Sequence, residues 1–121
     1  MVIDDTHLDR FVAERLLTKN AVADEVICLE SGRHGLNYLN DCMQNNDSLP
    51  DLILLDIRMP EMDGFEFLEE FDKMPDAITS VCRIMMLSTS LDPDDLEKVQ
   101  RNRHVMKFIN KPLSKEKLNA I

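Results

Sequence analysis

Asp4-Asp5, Asp56, Ser88-Thr89-Ser90 and Asn110-Lys111-Pro112 are the residues of this sequence whose types could do chemistry together. Each group follows a short apolar run: Met1 to Ile3, Leu52-Ile53-Leu54-Leu55, Ile84 to Leu87, and Val105 to Ile109. If those runs are strands of one parallel sheet, the polar groups share the rim beyond the carboxyl ends, which is where open α/β sheets bind ligands. Three carboxylates in a partly desolvated crevice repel one another, and a hard divalent cation is the natural compensation. Magnesium suits the place, because it accepts one or two carboxylates, keeps several waters and leaves room for phosphate oxygens. Lys111 adds a second positive charge and Ser88 a hydroxyl, the balance of charge and hydrogen bonding that a small phosphate-like anion needs. Singly, an Asp-Asp pair is an ordinary solvated turn, a strand-end serine a cap and a Lys-Pro a loop. Their joint placement carries the reading.

The elements that must position these groups alternate strand and helix. Met1 to Asp4 reads as a first strand, and Leu8, Phe11, Val12, Leu16 and Leu17 then recur at helical spacing as far as Asn20. Val26 to Leu29 reads as a second strand, followed by a helix capped by Ser31 with Leu36, Leu39 and Met43 on one face. The unbroken run Leu52 to Leu55, introduced by Pro50 and closed by Asp56, has the pattern of a strand buried on both faces. Phe65, Phe67, Leu68 and Phe71 predict a third helix stopped before Pro75, and Asp63-Gly64 ahead of it suggests a tight turn in which glycine takes a positive φ. After the fourth strand, Asp92 as N-cap, Pro93 at the first helical position and Asp95 as a capping-box acid start a helix that runs to about Asn102. Val105 to Ile109 is the fifth strand, and Ser114 caps a last helix through Leu118 and Ile121. Five strand-helix units of this kind make a doubly wound α/β sandwich.

The 121 residues fit one compact domain, 1–121, large enough to be stable without disulfides or a structural metal. The formal charge of −9 is uneven, since residues 1–76 hold 18 acids and 6 bases whereas residues 77–121 hold 5 acids and 8 bases. No nucleic-acid partner is expected from that balance, and no membrane partner, because no apolar run approaches the roughly 18 residues of a membrane span. Cys28, Cys42 and Cys82 lack metal or redox spacing and read as free, mostly packed thiols of a cytoplasmic protein; His7, His34 and His104 lack the spacing of a zinc site.

The acid pair, the aspartate ending a buried strand, Met59-Pro60, Met62-Asp63-Gly64, Ser88 and Lys111-Pro112 occur in the order and approximate spacing of one family. The chain resembles a response-regulator receiver domain over essentially its whole length. The resemblance implies a flavodoxin-like strand order 2-1-3-4-5 and a bacterial, cytoplasmic setting in two-component signalling. By analogy, Asp56 would be the phosphoacceptor, taking a phosphoryl group from a sensor histidine kinase or a histidine phosphotransfer protein. Asp5 would ligate Mg2+ directly together with Asp56, Arg58 would contribute its backbone carbonyl, and Asp4 would act through water. Lys111 would pair with the phosphoryl oxygens, aimed inward by a cis Lys111-Pro112 peptide like the family's. Such a chain is no conventional enzyme, but catalyses its own phosphorylation and dephosphorylation at aspartate.

In receivers the strand-four hydroxyl and a strand-five aromatic form a switch, and here Ser88 and Phe108 hold those positions. Phe108 lacks a tyrosine hydroxyl, so only apolar burial would bias its rotamer. The face remade would be that of the fourth predicted helix, the fifth strand and the fifth helix, offered to a downstream protein target or to a second copy in a homodimer. Lys98, Arg101, Arg103, Lys107, Lys115 and Lys117 fall in that segment and suit an acidic partner surface. Arg58 and Ser90 occupy the two positions that tune hydrolysis in the family. Three or so residues before the acid pair and about two helical turns after Pro112 are fewer than receivers usually have, so a few residues are expected to be missing from each end. A different class remains as the alternative: a pseudo-receiver, an interaction module independent of phosphorylation. An Asp-x-Asp phosphatase or a flavin carrier fits less well, because Asp56-Ile57-Arg58 lacks the second aspartate and no glycine-rich phosphate loop follows strand one.

Overall fold

The computed structural model describes residues 1–20, 22–89 and 92–119. Its five strands, β1 (Val2–Ile3), β2 (Cys28–Leu29), β3 (Leu52–Asp56), β4 (Arg83–Ser88) and β5 (Val105–Asn110), form one sheet in the order β2-β1-β3-β4-β5. Every pairing in it is parallel. The helices are α1 (His7–Lys19), α2 (Gly32–Gln44), α3 (Gly64–Asp72), α4 (Asp76–Thr79), α5 (Pro93–Arg101) and α6 (Lys115–Asn119). The expected doubly wound sandwich and its strand order are therefore present, with one short helix, α4, that the periodicity did not signal.

Burial explains the layers. Along β3, Ile53 and Leu55 join one core and Leu54 the other, as period-two alternation requires of a strand covered on both faces. The larger core gathers Ile3, Ile53, Leu55, Ile84 and Met86 from the sheet with Leu36 and Leu39 of α2, Phe67, Leu68 and Phe71 of α3, and Val99 of α5. The smaller one packs Val2, Leu54, Met85, Leu87 and Ile109 against Ala13 and Leu17 of α1 and Leu118 of α6. Each fully buried aliphatic or aromatic side chain stabilises the fold by about 1.5–3 kcal/mol relative to exposure.

Register sets the height of the functional rim. Asp56 pairs with Leu87 and Ser88 with Asn110, so the residues that follow β3, β4 and β5 emerge level with one another. Between β4 and β5 the ladder steps from Ile84↔Val105 to Met85↔Lys107, leaving Met106 as an extra, unpaired residue on the edge strand. Past the strand end, the Lys111 amide donates to the Ser88 carbonyl (2.9 Å) and continues the alignment. The Lys111-Pro112 peptide is cis.

Several local expectations are corrected. In α1 only Ala13 and Leu17 are buried, whereas Leu8, Phe11 and Val12 are exposed; Arg15 lies over the Phe11 ring at 5.7 Å. In α2 the inward residue after Leu39 is Cys42, and Met43 faces out. Ser31 caps α2 as expected, accepting from the His34 amide (3.1 Å). Asp92 caps α5 as expected, its side chain accepting from the Asp94 amide, and Asp95 in the first turn is buried. A capping box is present at α3, where Asp63 accepts from the Glu66 amide and Glu66 accepts from the Asp63 amide. Gly64 does not take a positive φ. Glycine is required there for space, because a Cβ would stand 2.7 Å from the Asp56 carbonyl oxygen and 3.0 Å from the Ile57 Cα. The left-handed residue of that loop is Glu61, with φ 68°. The C-terminal extent of the last helix to Ile121 lies outside the described residues, as does Ser90.

Candidate functional site

Asp4, Asp5 and Asp56 converge on one point at the carboxyl rim. One carboxylate oxygen from each lies within 4.8 Å of the others, with Asp4 and Asp56 buried and Asp5 exposed. β1 and β3 are neighbours in the sheet, with Ile3 opposite Leu55, and this adjacency places the residues following the two strands side by side. Asp4 is held from three directions: its Oδ1 accepts from the Thr6 amide (2.9 Å), its Oδ2 from Lys111 Nζ (2.8 Å), and its backbone carbonyl from the Arg10 guanidinium (2.8 Å). Both carboxylate oxygens of Asp4 are thus hydrogen-bonded within the protein.

Lys111 crosses from the end of β5 into the acidic group. Its Nζ donates to Asp4 Oδ2 (2.8 Å) and to Asp9 Oδ2 (2.9 Å) and lies 3.4 Å from Asp56 Oδ1. Burial by itself would favour neutral lysine, yet the hydrogen bonds to Asp4 and Asp9 and the charge of Asp56 outweigh it and raise its pKa above the ordinary value. The Asp56 pKa is raised as well, which for a carboxyl disfavours the charged form. Burial first and the charge of Asp4 second push it up to about 6, against the opposing pull of Lys111. The group is thus short of positive charge even with the lysine in place. The donor set is all oxygen, acidic and half open to water, which is what a hard divalent cation takes.

Ser88 is buried at the end of β4 and Phe108 is half-buried on β5, packed against the larger core. Arg58, two residues past Asp56, sends its side chain to Asp95 of α5, giving that buried acid a charged partner. A second tie runs beside it, with Lys98 Nζ of α5 5.2 Å from the centre of the Phe65 ring of α3. Reasoning from sequence missed Asp9 and Asp95 as members of this region. The first was detectable, since a helix beginning after the acid pair puts an acid at position 9 in its first turn, at the same rim. The second was not, because nothing in the letters pairs positions 58 and 95.

The three expected thiols divide by burial. Cys42 and Cys82 are buried, Cys28 partly so, and burial pushes the Cys82 thiol up to about 11. Among the described residues no helix is long and apolar enough to cross a membrane.

A parallel 2-1-3-4-5 sheet with three carboxylates and a lysine gathered on its carboxyl rim defines a doubly wound α/β module of the flavodoxin-like kind. The chain belongs to the response regulator receiver domain family, whose model matches residues 1–121, and so to two-component signalling. It is 30% identical over 118 residues to the probable methanogenesis regulatory protein FilR2 of Methanothrix harundinacea, covering 98% of this chain and 74% of that protein. Other curated relatives are longer, and the chain spans as little as 14% of one of them. Among solved structures, a two component response regulator from Cytophaga hutchinsonii superposes with a TM-score of 0.89 at 28% identity, covering 98% of this chain and 89% of that one. The Mn(2+)-bound form of response regulator Rcp1 superposes with a TM-score of 0.72 at 26% identity, covering 98% of this chain and 85% of that one.

Proposed function

We propose that residues 1–121 work as one phosphorelay receiver in which Asp56 accepts a phosphoryl group from a phosphohistidine of a sensor histidine kinase or a histidine phosphotransfer protein. The observation that carries this reading is the buried Asp56 carboxylate, flanked by Asp4 and Asp5 and faced by the Lys111 ammonium at 3.4 Å. An Asp56 carboxylate oxygen attacks phosphorus, the P–N bond to the ring-protonated donor imidazole breaks, and neutral imidazole leaves with the bonding pair; water later cleaves the acyl phosphate, releasing inorganic phosphate and restoring the carboxylate. A loose phosphoryl-transfer transition state calls for alignment and charge neutralisation more than for acid-base catalysis. Mg2+ held by Asp5, Asp56 and the Arg58 carbonyl, with Asp4 through water, would supply the neutralisation. Lys111 aligns the phosphoryl oxygens, and Ser88 offers its hydroxyl to them. The existence of a Mn(2+)-bound form of the related Rcp1 supports divalent-cation binding here.

The output runs through Ser88 and Phe108 to the face of α5, β5 and α6, where a downstream protein or a second copy binds. The basic residues of that segment favour an acidic partner surface, although Arg101 already pairs with Glu97, Arg103 with Asp72, and Lys117 with the carbonyls of Asn110 and Pro112. Partner binding that ignores salt would count against that charge match.

Incubation with acetyl phosphate and Mg2+ tests the central reading. The intact chain gains the mass of one phosphoryl group, and the Asp56→Asn variant does not. A wild-type chain that gains nothing, while still binding its target, is the pseudo-receiver.

A further inference from the structure

We propose that Asp9 is a positioning residue for Lys111, holding the ammonium back from Asp56 so that this carboxylate stays open to a cation and to a phosphoryl donor. The proposal rests on the reading of Asp56 as the phosphoacceptor. An ammonium has three N–H donors. Lys111 gives full hydrogen bonds to Asp4 (2.8 Å) and Asp9 (2.9 Å) and stands off from Asp56 Oδ1 at 3.4 Å, although the Asp56 side chain is far more buried than that of Asp9.

The position of Asp9 is built into the fold. It lies in the first turn of α1, where a carboxylate is favoured by the helix dipole. Ala13 and Leu17, four and eight residues further on, are the two buried residues of that helix. Asp9 therefore stands at the top of the core-facing stripe of α1, and the packing of that stripe fixes its height over the rim. Arg10, the next residue, grips the backbone carbonyl of Asp4 and ties the same turn to the end of β1. Without the Asp9 carboxylate, the acids left around the lysine are Asp4 and Asp56. The ammonium then settles on Asp56, becomes its internal counter-ion and competes with a divalent cation for the same oxygens.

Calorimetric titration of Mg2+ into the metal-free chain tests this through a double-mutant cycle. Asp9→Asn weakens Mg2+ binding roughly five- to tenfold, the size of the repulsion between the lysine charge brought onto Asp56 and a divalent ion across several ångströms of largely aqueous dielectric. Asp9→Glu, which keeps the charge within reach, restores the affinity to within about twofold. In a Lys111→Met background the same Asp9→Asn change costs no more than about twofold, because only the screened charge of a part-exposed acid is then lost. Equal weakening in both backgrounds, or none in either, overturns the proposal. A metal-free crystal structure of Asp9→Asn gives a second readout. The Lys111 Nζ to Asp56 Oδ1 separation shortens from 3.4 Å to hydrogen-bonding distance, and an unchanged or longer separation also overturns it. Failure of the phosphoacceptor reading looks different, since phosphoryl mass would then persist in Asp56→Asn.

Discussion

Replacing Asp56 by asparagine in the metal-free protein removes a carboxyl that folding makes harder to ionise. The unfolded carboxyl loses its proton near the ordinary 3.8, whereas the folded one keeps it up to about pH 6. Between those values the folded state binds more protons than the unfolded state, so stability falls as pH rises through that window and levels off above it. At about 1.4 kcal/mol per pH unit the full penalty is roughly 3 kcal/mol, and the side chain is too buried for solvent to screen much of it away. Urea denaturation followed by circular dichroism in a chelator measures the effect. Asp56→Asn and wild type have similar stability at pH 4, and the variant becomes up to about 3 kcal/mol more stable by pH 7.5. Mg2+ at a hundred times its dissociation constant should return about 2.7 kcal/mol to wild type at pH 7.5. A difference that stays constant between pH 4 and 7.5, or a metal-free wild type more stable than the variant at pH 7.5, would refute the account of crowded, under-compensated carboxylates.

Three further outcomes are expected. Gly64→Ala forces a methyl against backbone at the Asp56 carbonyl and Ile57, neither of which can rotate away as a side chain would, and lowers stability by about 1–3 kcal/mol in the same urea assay. Arg58→Ala and Asp95→Asn each cost about 1 kcal/mol, and the double variant costs less than the sum of the two, because one ion pair links them; fully additive losses would show that the pair contributes nothing. Beryllofluoride with Mg2+, mimicking the phosphoryl group, shifts the NMR resonances of Phe108 and its β5 neighbours, and shifts confined to the Asp56 pocket would remove Phe108 from the switch.

Much of the fold was readable because buried parallel strands have a simple signature. Leu52 to Leu55 and Ile84 to Leu87 are unbroken apolar runs, and both strands lie where those runs lie, within one residue at each end. The rim followed from the same signature, since a polar residue ending such a run must emerge at the carboxyl edge. Helix faces were less legible. Leu8, Phe11 and Val12 have helical spacing, but burial depends on which stripe meets the sheet, and the stripe that does so is Asp9, Ala13 and Leu17. An acid and an alanine hide that face from any count of apolar letters. Gly64 shows the same limit, because lack of room beside Asp56 is a tertiary fact that the Asp-Gly turn signature does not contain. The Arg58 and Asp95 pair joins positions whose neighbourhood exists only after α5 has docked.

Met106, the residue to spare on β5, gives that strand a tolerance unevenly divided along its length. It pairs with nothing on β4 and is 46% exposed, whereas every residue from Lys107 to Asn110 has a fixed partner. A deletion of one residue beside Met106 would be absorbed by straightening the ladder, leaving Phe108, Asn110 and Lys111 at their present heights. The same deletion between Phe108 and Lys111 has no slack to draw on, and would either drop the lysine below the rim or turn the aromatic to the other face of the sheet. Relatives that differ in length along this edge should therefore gain or lose residues in its first half and keep a constant count in its second.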